Sequence, residues 1–217
     1  MSELSYPSER VEGTVTQWVE NPTGGRDRGP QAIVRAWIEV LVRPRRFFRT
    51  GVAPGDQAPG MVFGVLVTLI EVATRMATGD LTVGTIAGGP LLTKLLALAL
   101  VGLFIAPAVL HLTAALQTVI LMLLVPERGG ISETVQVLGY AVAPCLLAGL
   151  PIPELRAACT VYGAVLLVIG MREVHNTSYL RAAVVGALPA AVVFGYGFGG
   201  FRALVVAVPG LASAVPW

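Results

Sequence analysis

Glu71 and Arg75 stand four residues apart inside a long apolar run, and few other residues in the chain are so well placed to do chemistry. An acid and a base at this spacing share a helix face and can pair. Counted from Gly60, Glu71 lies ~16 Å along a helix, close to mid-bilayer. An unpaired charge there costs at least about 2.5–3.5 kcal/mol. The next apolar run adds two polar side chains, His111 and Gln117. Together the four define an expected intramembrane polar site. Its sharper reading is a proton or ion relay. The plainer one is a structural salt bridge, with His111 a hydrogen-bonded packing residue.

A second set is basic and aromatic. Arg43, Arg45, Arg46 and Arg49 surround Phe47 and Phe48 about ten residues before the first apolar run. Guanidinium groups beside a membrane span hold to anionic headgroups and resist translocation. The phenylalanines are expected to sink into the headgroup boundary and pin the segment flat. Arg172, His175 and Arg181 fall in a later short loop on the same expected side. The two groups would make one lipid- or partner-binding face. Between Arg26 and Arg49 the charge sums to +5, and all but one of the chain's basic residues are arginine. With no soluble domain to present them, they imply anionic lipid and not nucleic acid.

These residues need a membrane scaffold, and composition supplies one. In 217 residues, 55% are hydrophobic and only 13% charged, with mean hydropathy +0.75. Soluble domains carry about 25% charged residues. The polar start lacks the apolar core of a secretory signal, so none is expected. No nucleophile–base pair, phosphate-binding glycine loop or metal-type cluster is visible, so neither enzyme nor cofactor is expected. Cys145 and Cys159 have no metal-type spacing; they sit at similar expected depth and read as buried, unpaired thiols.

An all-α, polytopic bundle of about five spans is expected, preceded by an amphipathic interfacial helix. Residues 1–30 read as a flexible cytoplasmic tail. In 31–50, Ile33, Val34, Trp37, Ile38 and Leu41 recur at helical spacing opposite Arg35 and Glu39. The transmembrane part covers 51–217. Its spans are expected at 60–77, 90–125, 132–150, 155–171 and 180–198, each near the ~20 residues a bilayer needs except the second. That run is read as one long helix, kinked at Pro107 and projecting into the cytoplasm. Ser132 is the expected N-cap of the third span. Residues 203–217 extend the last helix, lie at the far interface, or form a short sixth span. Small residues four apart, such as Gly139/Ala143 and Gly186/Ala190, suit close helix packing.

Arginines favour one side of this arrangement. The seven-arginine stretch, Arg128, Arg172 and Arg181 fall inside, whereas the outer connections hold Asp80, Glu154 with Arg156, and Arg202. By the positive-inside rule the N-terminus is cytoplasmic and the C-terminus outside, in the cell membrane.

Three stretches resemble the Yip1 family of small polytopic membrane proteins. They are Trp37-Ile38-Glu39-Val40-Leu41 with Pro44 and Phe47-Phe48; Gly129-Gly130 leading through Glu133 to Gly139-Tyr140 and Pro144; and Gly170-Met171-Arg172-Glu173-Val174-His175 with Ser178, Arg181 and Ala182. The likeness spans about 35–200 and is to archaeal and bacterial members. It implies five transmembrane helices and a cytoplasmic N-terminus. Eukaryotic relatives are associated with vesicle traffic and prenylated GTPases. The acidic N-terminal stretch of some of those relatives is absent here, so a GTPase partner does not carry over. The expected function is a non-enzymatic scaffold that organises the membrane or recruits a partner at its cytoplasmic face. The alternative is a small transporter or channel component built on Glu71, Arg75 and His111. Expected partners are anionic lipid, an unidentified cytoplasmic protein and a second copy of the chain.

Overall fold

The computed structural model describes residues 29–208 and 210, apart from 87. The expectations for the 1–30 tail fall almost wholly outside the described residues, and those for 203–217 in large part. Among the described residues the chain is all helix. Helices α1 (Pro30–Val42) and α2 (Pro44–Gly51) are followed by α3 (Ala58–Thr78). Next come α4 (Gly89–Leu124), α5 (Ile131–Ala141), α6 (Pro153–Val174), α7 (Tyr179–Gly197) and α8 (Gly200–Ala207). Helices α3, α4, α6 and α7 are long and apolar enough to cross a membrane.

The expected third span takes a different form. Helix α5 has 11 residues, then tightens into a 3-10 turn over Ala143–Leu147. Pro144 explains the change, because its ring removes a backbone donor and crowds the preceding turn. From Thr134 to Cys145 every residue is buried. Helix α5 is thus the enclosed centre of the bundle, packed by α3, α4 and α6. Its N-cap also differs: the helix starts at Ile131 behind Gly130, leaving Ser132 in the first turn with its hydroxyl unpartnered among the described residues.

Close approach sets this packing. A side chain on Gly139 would overlap the carbonyl of Gly60, and a Cβ on Gly60 would come within 2.5 Å of the Gln136 Cα. The start of α3 therefore lies directly on α5. Phe47, Phe63 and Tyr140 fill the space beside this crossing, with Phe47 edge-on to Tyr140 at 4.8 Å and Phe63 at 5.2 Å.

The 36-residue second run is one helix, as expected, but the irregularity precedes Pro107. Val101–Ile105 form a π turn in which the Ala106 N–H reaches the Val101 carbonyl. Pro107, with no N–H of its own, cannot restore the regular ladder there. A second π segment, Ala191–Gly197, follows Pro189 in α7.

Helix α1 shows a further departure. Its inward stripe is Ala32, Ala36 and Val40, all fully buried, whereas Val34, Ile38 and Val42 face outward. Small residues let α1 lie close to its neighbours, and Trp37 Nε1 donates to the Ala143 carbonyl at 2.8 Å. The larger apolar residues of the expected face are thus half-buried or exposed. Cys145 and Cys159 are both buried and free, as the sequence suggests; the Cys145 thiol points to the Cys159 carbonyl at 3.9 Å.

Candidate functional site

At one end of the bundle, acid and base alternate. Arg75, in the last turn of α3, donates through Nε to Asp80 Oδ2 at 2.8 Å and makes a longer contact of 3.5 Å to Glu71. Arg156 reaches the same Asp80 oxygen at 2.8 Å and anchors its own Nε on the Ala148 carbonyl at 2.7 Å. Gly79, at φ +81, turns the chain out of α3 and delivers Asp80 to both arginines. Partial burial works to raise the Asp80 carboxyl, but the hydrogen bonds from Arg75 and Arg156 outweigh it and hold it below the ordinary aspartate range.

Glu71 is only 1% exposed. It borders a cavity of ≈ 180 Å³ between α3, α4 and α7. Arg75 shares the cavity, and apolar residues form most of the remaining wall, among them Val101, Val109, Val193 and Phe198. The expected four-residue polar site is therefore only half assembled. His111 spends its Nδ1 on the Pro107 carbonyl of its own helix at 2.8 Å, the packing arrangement, and does not line the cavity. Gln117 is fully buried, with neither amide atom partnered among the described residues, and also lies away from it.

The opposite end carries the basic residues. Arg49 bonds Glu173 at 2.8 Å, and Arg172 pairs with the same carboxylate. Arg45 and Arg172 both stand over the Tyr179 ring, at 5.7 and 4.6 Å from its centre. Arg43, Arg46 and Arg181 are exposed around them. The two stretches, more than a hundred residues apart in sequence, thus meet as one face.

Three members of the expected face do not belong to its surface. Phe47 and Phe48 are 0% and 1% exposed. Instead of entering lipid, they plug α2 into the bundle, where Phe47 meets Tyr140 and Phe48 lies beside Gly170. Apolar burial against protein, not headgroups, holds the segment. His175 is also fully buried. Its Nδ1 accepts from the Gly129 N–H at 3.1 Å, which leaves Nε2 as the protonated nitrogen, facing Thr134 Oγ1 at 3.4 Å. It ties the Gly129 loop and α5 to the end of α6.

Desolvation, aided by the charge of Arg128, lowers the His175 pKa to about 4. The unfolded chain, near 6.5, takes up the proton first. Stability from this group is complete above pH 6.5 and is lost as pH falls toward 4, an effect on the order of 3 kcal/mol. Unfolding followed by intrinsic fluorescence between pH 7 and 4 should show this slope, and His175→Gln should flatten it. An unchanged slope in the variant would exclude His175 as its origin.

Sequence reasoning missed the role of Gln136. Its amide pairs with both backbone groups of Ala53, accepting from N–H at 3.2 Å and donating to the carbonyl at 2.7 Å. This clamps the loop between α2 and α3 onto α5. A glutamine on an otherwise apolar helix face was the available signal. Among the described residues no three His, Cys, Asp or Glu side chains gather as a metal site requires.

Four membrane-length helices around a short buried one, with opposite ends of different polarity, define a small polytopic integral membrane protein. Within that class the chain belongs to the Yip1 domain family, whose model matches residues 38–201, most of its length. No match is found among curated proteins or solved structures.

Proposed function

We propose that this chain is a non-enzymatic scaffold of the cell membrane whose arginine face lies in the cytoplasm, gathers anionic lipid and recruits an acidic protein partner. The observation that carries this reading is the convergence of Arg45 and Arg172 on Tyr179 while Arg49 and Arg172 share Glu173. Such contacts fix the guanidinium groups before any partner arrives, which lowers the ordering cost of binding. Phe47 and Phe48 support the same reading, because their burial holds α2 rigidly with its arginines outward. Basic residues concentrate at this end, which favours its cytoplasmic placement and an outward C-terminus. A relay or conduit is less favoured, since His111 and Gln117 stand apart from the Glu71 cavity.

Affinity capture from native membranes tests this directly. Arg45→Ala/Arg46→Ala/Arg172→Ala should lose a specific partner by at least about tenfold, given ~1.5–3 kcal/mol for each hydrogen bond to a charged group. The same partners retained, together with altered ion flux in a Glu71→Gln variant, would instead favour the conduit.

A further inference from the structure

We propose that the cavity beside Glu71 is a binding site for a compact amphiphile, an ammonium group on an apolar body about the size of a phenyl ring. Three observations point to this ligand. First, the volume fits: ≈ 180 Å³ of mostly apolar wall, where an apolar cavity of about 150 Å³ already admits benzene. Second, the polar groups at its edge are unequally occupied. Arg75 and Arg156 both spend 2.8 Å hydrogen bonds on Asp80, whereas Glu71 receives from Arg75 only a 3.5 Å contact. The group short of hydrogen bonds is the acid, so the complementary ligand is a donor. An anionic headgroup would meet the Glu71 carboxyl instead. Thr68, which brings a hydroxyl to the wall, already donates it to the Gly64 carbonyl at 2.9 Å and adds no competing preference.

Third, the backbone around the cavity is irregular where a site requires room. Both π segments of the described chain contribute to its wall, Val101 and Ile105 from one, Val193 and Gly197 from the other. Single π turns inside α-helices occur frequently at functional sites, because the extra residue widens the helix and re-aims its side chains. Two of them, on separate helices, face one cavity that holds a buried carboxyl.

The test uses the full chain in phosphatidylcholine nanodiscs, with 4-fluorobenzylamine followed by fluorine NMR and empty nanodiscs as the partitioning control. Saturable binding is expected only with protein present. Glu71→Gln should weaken the amine about tenfold and leave 4-fluorobenzyl alcohol nearly unaffected. Filling the cavity by Ala106→Phe should abolish binding of both. Should Ala106→Phe fail to fold, Val109→Phe fills the same space from a partly exposed position; Glu71→Asp, which withdraws the carboxyl, serves likewise for Glu71→Gln. Non-saturable partitioning alone, equal affinity for amine and alcohol, or binding indifferent to Glu71 and to cavity filling would each overturn the assignment.

Discussion

Gly139→Ala should destabilise the bundle by about 3 kcal/mol or more, at the upper end of overpacking costs, while Gly186→Ala should leave it unchanged or slightly more stable. The two glycines look alike in sequence, each the first of a small-residue pair spaced by four. Their surroundings differ. A Cβ at position 139 would overlap the Gly60 carbonyl, a backbone atom that cannot rotate away. At position 186 the nearest atom is a Leu167 methyl at 3.7 Å, ordinary contact. With nothing to displace, alanine there gains the roughly 0.5–1 kcal/mol that glycine forfeits inside a helix. At position 139, helices α3 and α5 have to separate, and α5 touches three of the four membrane-length helices. Thermal unfolding in detergent, read by loss of the monodisperse peak, distinguishes the two. Equal shifts would mean that the α3–α5 crossing does not limit stability.

Asp80→Ala carries the second large effect. It leaves Arg75 and Arg156 without the carboxylate both depend on, and brings two guanidinium groups together near a buried Glu71. The arginine side chains are 21% and 11% exposed, so water relieves only part of the cost. A loss of about 2–3 kcal/mol is expected, below the 3–5 kcal/mol of a fully buried pair that loses one partner. Asp80→Asn, which keeps an acceptor oxygen, should lose less. Because the native carboxyl titrates below its ordinary range, its contribution holds above pH ~4 and is lost only as pH falls further. Pairing Asp80→Ala with Arg156→Ala in a double-mutant cycle measures the coupling. Strictly additive losses would show that the 2.8 Å contact adds nothing to stability.

How much of this was visible beforehand depended on the range of the interactions. Apolar length marked the four membrane-length helices, the 36-residue run among them, because hydrocarbon thickness is a one-dimensional constraint. The Glu71–Arg75 pair was legible for the same reason, being local along a helix. Third dimensions were not. Nothing in the spacing of Arg75 indicated that Asp80 would claim it more closely than Glu71, or that Arg156 would join from 76 residues away. Phe47 and Phe48 resembled lipid anchors because amphipathic patterning cannot distinguish lipid from a neighbouring helix: both are apolar. His175, in a short loop between charged residues, resembled a surface group until Gly129 and Thr134 closed over it. Alternation of small residues in α1 was the overlooked signal there, since Ala32, Ala36 and Val40 share a face at four-residue spacing.

The arginine face at the His175 end is the core of the functional reading, and site-directed photo-crosslinking in native membranes tests it most directly. A crosslinking residue placed at Arg46 or at Arg181 should capture the same distinct protein, and one at Phe104, two-thirds exposed on the outer side of α4, should not. Capture of lipid alone at both arginine positions, or identical bands at all three, would contradict the account.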